Sequence, residues 1–122
     1  MIQKLEIQGI HMTVDDSTRR YVVRKIGRLD RYLPKKVRDV AHAEVMLKES
    51  KAKDKNHCTC EVTLHLPKET INVKESTINM IAAIDIIETK LYQRIDKYKD
   101  MHLGKTKRHL LARLRNRPPG AD

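Results

Sequence analysis

Tryptophan and phenylalanine are absent from this chain of 122 residues, and four tyrosines make up its whole aromatic complement. A buried core must therefore be assembled from Ile, Leu, Val, Met and Ala. Reading of splayed single-stranded bases is disfavoured as well, because that chemistry displays aromatics on a strand face and the tyrosines (21, 32, 92 and 98) fall at helical spacing. At those spacings they read as the edges of a core. The two cysteines, Cys58 and Cys60, form no disulfide framework and suit a reducing cytoplasm. No stretch is long and apolar enough for a transmembrane span, and no cationic-then-apolar leader opens the chain. A glycine-rich phosphate loop, a nucleophile elbow and a His-Glu-x-x-His pattern are all missing. The six histidines are scattered, and Asp85 and Glu88 lie on a helix with no acid or base paired to them nearby in sequence. No catalytic residue and no cofactor is expected.

A zinc site at Cys58-x-Cys60 with His57 and His65 is the one metal arrangement the sequence invites. In a strand, however, residues 58 and 60 point to one face while 57 and 65 point to the other, so the four cannot converge on a tetrahedral ion. The cysteines read as small buried hydrophobes.

What the chain has in excess is positive charge: +10 net, with a pI near 9.8. An anionic partner follows, nucleic acid before a membrane surface. The cations are placed, not spread. Residues 15–38 hold nine Lys/Arg against three acids, residues 86–117 hold ten against three, and the remaining seven of the 26 cations serve the rest of the chain.

Periodicity supplies the elements. Residues 2–12 read as a strand with Leu5 and Ile7 on one face, and Gly9 marks a bulge or a close backbone approach. A helix follows, opened by Asp15 or Asp16. Its apolar face is Val22, Ile26, Leu29 and Leu33, and Pro34 ends it. Residues 37–48 alternate through Ala41, Ala43, Val45 and Leu47, and residues 49–56 form a charged hairpin loop. Cys58, Cys60, Val62, Leu64 and Leu66 alternate without exception with polar residues, as in an antiparallel sheet with one wet face. A turn at 67–69 leads to a fourth strand, residues 70–75. The long helix over 76–103 carries Met80, Ile84, Ile87, Leu91, Ile95 and Tyr98 along one side, and Gly104 is a plausible cap. The fold class is therefore α+β, in the order β-α-β-β-β-α, with a four-stranded sheet and both helices on its single apolar face. Residues 1–103 make the domain. Residues 104–122 form a basic tail expected to be disordered alone, or a short helix around Leu110, Leu111 and Leu114 when bound.

Two cationic stripes remain to be explained: Arg20, Arg24, Arg28 and Arg31 on the first helix, and Lys90, Arg94 and Lys97 on the second. One such run is usually a solvated face. Two on neighbouring helices, continued by Lys105, Lys107 and Arg108 in the tail, point to a phosphate-binding surface whose half-patches adjoin. No apolar residues accompany the exposed cations, which disfavours a membrane.

These residues resemble a known family, the ribosome hibernation-promoting factors (ribosome-associated inhibitor A, or protein Y, often described as sigma-factor modulation proteins). The likeness spans residues 2–103. It rests on Ile7-Gln8-Gly9, on Tyr21-Val22 with Lys25-Ile26-x-x-Leu29-x-x-Tyr32, and above all on Asn79-Met80-Ile81-Ala82-Ala83-Ile84-Asp85 continuing to Lys90-Leu91 and Lys97-Tyr98-Lys99. Asn79 stands where the family usually has Asp, and Ile81 where it has Tyr. The resemblance implies a fold similar to double-stranded-RNA-binding domains and a partner, the small ribosomal subunit and the whole ribosome. There the helices would lie on ribosomal RNA phosphates over the A and P sites, excluding tRNA and mRNA under stress, with no chemistry and no small-molecule substrate. By position it adds Lys25 and Lys99 to the rRNA-binding set. It further implies a short form of the family, monomeric when free. Two other classes stay open: a general double-stranded-RNA-binding module, and a protein-binding transcription regulator, which would need an apolar groove that the sequence does not display.

Overall fold

The computed structural model describes residues 1–50 and 58–103. Its elements are β1 (Lys4–Ile10), α1 (Asp16–Lys25), a 3₁₀ segment (Gly27–Tyr32), a short α2 (Lys35–Arg38), β2 (His42–Glu49), β3 (Cys58–Leu66), β4 (Glu69–Thr77) and α3 (Met80–His102). The hairpin-loop residues 51–57, the cap expected at Gly104 and the tail lie outside the described residues.

The four strands form one sheet in the order β1-β2-β3-β4. β2, β3 and β4 pair antiparallel, as the alternation predicts. β1 instead runs parallel to β2, with Leu5 opposite Ala43 and Ile7 opposite Val45. A parallel pair needs a crossover, and α1, the 3₁₀ segment and α2 supply it. The sheet is thus mixed, a consequence of topology that strand periodicity does not carry.

One sheet face is dry. Cys58, Cys60, Val62, Leu64 and Leu66 are all buried, and the register lays Ala43 and Val45 against Leu64 and Val62, which in turn meet Ile71 and Val73. α1 and α3 both pack there. Ile84, Ile87, Leu91, Ile95 and Tyr98 of α3 are buried against the strands, with Met80 half-buried at the edge. Each such side chain contributes about 1.5–3 kcal/mol through the apolar area it removes from water. α3 begins where Asn79 accepts a hydrogen bond from the Ala82 N–H at 3.2 Å, four residues later than periodicity alone suggests, because β4 runs on to Thr77.

The first helix is shorter than its sequence predicts. Asp15 caps it, accepting from the Thr18 N–H at 2.8 Å, and that bond is the first cause holding its carboxyl below the usual range. The α-helix then stops at Lys25. The Gly27 carbonyl, which a continuing helix would use internally, accepts from the Ile2 N–H at 2.7 Å, and the Leu29 N–H turns back to Ile26 in 3₁₀ fashion at 3.1 Å. Leu33 is extended, as the residue before a proline must be. Pro34 ends one segment and opens the next, so Val37, expected in a strand, is buried in α2. Gly9 is a point of close approach: a Cβ there would lie 2.6 Å from the Met12 carbonyl oxygen.

Candidate nucleic-acid interface

The residues proposed from sequence lie on α1, the 3₁₀ segment and α3, over the side of the sheet that the helices cover. Three contacts bind α1 and the 3₁₀ segment to α3. The Tyr21 hydroxyl donates to Asp85 Oδ1. Lys25 Nζ lies 3.6 Å from Glu88 Oε1. The Tyr32 and Tyr92 rings meet edge to face at 4.8 Å. The bond to Asp85, more than burial, pushes the Tyr21 hydroxyl up to about 12. Tyr92 and Tyr98 are buried, and the Tyr98 hydroxyl donates to the Pro67 carbonyl at 2.7 Å, so the tyrosines serve the core and its margins.

Above this seam the break at Ile26 gathers cations. Arg24 and Lys25 of α1, Arg28 and Arg31 of the 3₁₀ segment, Leu29 and the α3 residue Glu88 line a shallow cleft of about 220 Å³. The Arg24 guanidinium sits 5.2 Å from the Tyr21 ring centroid. Arg31 lies 5.0 Å from that of Tyr32 and donates to its hydroxyl at 3.1 Å. Arg20 and Arg28 are exposed, and among the described residues neither makes an ion pair.

α3 carries Lys90, Arg94 and Lys97 on its far flank, whereas Lys99, eleven residues after Glu88, falls on the Glu88 side. Lys90 reaches Glu75 of β4 at 2.5 Å, pointing away from α1, and Arg94 follows it one turn later. Lys97 and Arg94 are exposed without an ion pair among the described residues; Lys99 is half-buried and already has an interaction partner. Between the two groups runs an exposed ridge that includes Ala82, Ile86 and Gln93, so apolar residues do accompany the exposed cations on α3, contrary to the reading from sequence. The expectation that the stripes adjoin is therefore corrected. They flank α3, and Asp85 and Glu88 occupy the seam where a continuous stripe would run. Lys105, Lys107 and Arg108 lie outside the described residues.

Sequence periodicity missed Glu88 as part of the cationic site. The available signal was its spacing: Asp85 and Glu88, three residues apart, mark one flank of a helix, and that flank faces the basic helix. Cys58 and Cys60 are buried on the dry face, and burial pushes the Cys60 thiol up to about 12. Among the described residues no group of three or more His, Cys, Asp or Glu is placed to hold a metal, and no helix is long and apolar enough to cross a membrane.

A protein-family model described as sigma 54 modulation protein / S30EA ribosomal protein matches residues 5–102. A ribosome hibernation promotion factor from Staphylococcus aureus is 34% identical over 96 residues, 79% of this chain and 48% of that protein. The chain thus spans about half the length of this curated relative. Among solved structures, the N-terminal domain of Thermus thermophilus protein Y matches with a TM-score of 0.64 at 28% identity, covering 76% of this chain and 94% of that one. A ribosomal subunit interface protein from Coxiella burnetii matches with the same TM-score of 0.64 at 22% identity, covering 80% and 98%. At that identity it speaks to the fold alone.

Proposed function

The chain belongs to the sigma 54 modulation protein / S30EA ribosomal protein family, and from that premise we propose that it is a ribosome hibernation factor. It binds the small ribosomal subunit through rRNA phosphates and occludes the decoding channel, so that A- and P-site tRNA and mRNA are excluded. Residues 1–103 are the ribosome-binding domain, acting as a monomer in the cytoplasm. The reading carries no catalytic step, since a rigid set of cations at fixed spacing blocks a channel by occupying it.

The observation that carries the proposal is the convergence of Arg24, Lys25, Arg28 and Arg31 on one cleft, within a domain matched along its length by the family model. Guanidinium forks suit phosphate because their planar donors can engage two oxygens at once. Arg20, Arg94, Lys97 and Lys99 extend the contact to either side, with Lys90 contributing where it can leave Glu75, and Lys105, Lys107 and Arg108 continuing it along the chain.

Sedimentation with ribosomes and separated subunits tests this. Co-migration with the small subunit and with whole ribosomes is expected, lost in competition with tRNA and mRNA. The affinity should fall with salt at a log–log slope of about −0.7 to −0.9 per phosphate contact. Replacing Arg24, Arg28, Lys90 and Arg94 together by Ala should abolish co-sedimentation with the fold intact, because all four side chains are exposed. A protein that stays at the top of the gradient yet binds free duplex RNA would instead be a general duplex binder.

A further inference from the structure

We propose that the cleft between the 3₁₀ segment and α3 is a discrete seat for one phosphate group, and that Glu88 is a built-in competitor that keeps the seat releasable. The inference deepens the rRNA-binding reading by separating one organised site from the diffuse basic surface around it.

The seat is organised from below. Two of its four cations rest on side chains that are themselves anchored to α3. Asp85 holds the Tyr21 hydroxyl, and the Tyr21 ring lies under Arg24. Tyr92 holds the Tyr32 ring edge to face, and Tyr32 stacks on Arg31 and accepts its hydrogen bond. Long cationic side chains lose conformational freedom when they bind. Here much of that ordering is done beforehand, which favours a bound anion over a transient one. The 3₁₀ winding matters too: at three residues per turn it places Arg28 and Arg31 one above the other.

Glu88 opposes the ligand. Its side chain is 18% exposed and Lys25 Nζ lies 3.6 Å from its carboxylate, so in the free protein one of the four cations is already neutralised. An incoming phosphate must take Lys25 from Glu88 and tolerate the carboxylate beside it. Seating is therefore an exchange of anions around Lys25.

Inorganic phosphate, titrated into ¹⁵N-labelled protein and followed by NMR, tests the seat without a ribosome. Shifts at residues 24–31 should follow a single saturating curve that Arg94 and Lys97 do not share. Glu88→Gln, which removes the charge and keeps the shape, should bind about fivefold tighter, the effect of one like charge removed at close range in a solvated site. Arg28→Ala should weaken binding at those positions. A thermal melt of each variant confirms that it is folded, and Lys25→Gln, which should weaken binding where Glu88→Gln strengthens it, guards against a shift caused by loss of the pair alone. Uniform shifts across the whole basic surface, or a Glu88→Gln affinity equal to or below that of the wild type, would overturn the proposal. Ribosome sedimentation of the same variants is the separate arm: failure of the wild type there sinks the ribosomal reading and leaves the phosphate result to decide the seat.

Discussion

Removal of the Tyr21 hydroxyl should destabilise the domain out of proportion to its size. Tyr21→Phe deletes the hydrogen bond to Asp85 and keeps the ring that packs on the core. A hydrogen bond to a charged group contributes about 1.5–3 kcal/mol, and the larger part of the loss comes from leaving a half-buried carboxylate short of its donor. A destabilisation of about 2 kcal/mol is expected, equivalent to roughly 8 °C in Tm for a domain of this length. Urea titration checks it through the midpoint, with the slope m unchanged because no additional surface is exposed in either state. Asp85→Asn should be milder, and the double variant should show coupling of about 1–2 kcal/mol between the two sites. The pH dependence carries the same signature. The Tyr21 hydroxyl is pushed from 10.0 up to about 12, first by the bond to Asp85 and then by burial. Because the fold prefers the protonated form, its contribution is present in full below pH 10 and is lost as the pH rises through about 12. In Asp85→Asn the phenolate absorbance of that tyrosine should appear at lower pH. A Tyr21→Phe variant within about 0.5 kcal/mol of wild type, or a tyrosine titration unmoved by Asp85→Asn, would refute the reasoning.

Three further outcomes follow from named contacts. Asn79→Ala removes the α3 cap and should lower stability by about 1 kcal/mol, whereas Asn79→Asp should raise it by about 0.3–1 kcal/mol by placing a charge against the helix dipole; both are read from denaturant midpoints. Lys90→Ala should weaken ribosome co-sedimentation less than Arg94→Ala, since Glu75 already occupies Lys90. Cys58 and Cys60 should resist a thiol reagent at neutral pH in the native state and react once denatured, because both are buried and burial pushes both thiols up; fast native labelling would contradict the packing.

The elements with strong local signals were legible. Strict alternation in β3 gives the dry face of the sheet outright, since a one-residue slip would turn every apolar side chain to water. The three- and four-residue steps of α3 identify the buried residues from Ile84 to Tyr98. What was hidden is what non-local partners decide. β1 could not be known to pair parallel, because the alternation of Leu5 and Ile7 is the same in either direction. The end of α1 was hidden for the same reason: Val22, Ile26, Leu29 and Leu33 are all buried, so the apolar pattern persists through the break. The break itself is made by the Ile2 N–H claiming the Gly27 carbonyl, a residue twenty-five positions away.

The same distinction governs the site. A count of cations along the chain finds the charged segments correctly, yet it treats each Lys or Arg as available. In the fold, Lys25 is held by Glu88 and Lys90 by Glu75, while Arg28, Arg94 and Lys97 make no ion pair among the described residues. Partly exposed pairs of this kind are weak, about 0–1 kcal/mol, so they do little for stability; their consequence is electrostatic, in deciding which cations face a ligand unopposed. The acids on α3 therefore do two things that composition cannot separate. Asp85 positions an arginine through a tyrosine and adds no direct contact to the cleft lining, whereas Glu88 stands in the lining and subtracts from it. If both acids merely diluted the positive charge, Asp85→Asn and Glu88→Gln would each tighten phosphate binding. The geometry requires opposite signs: Glu88→Gln should tighten it, and Asp85→Asn, by loosening Tyr21 beneath Arg24, should not.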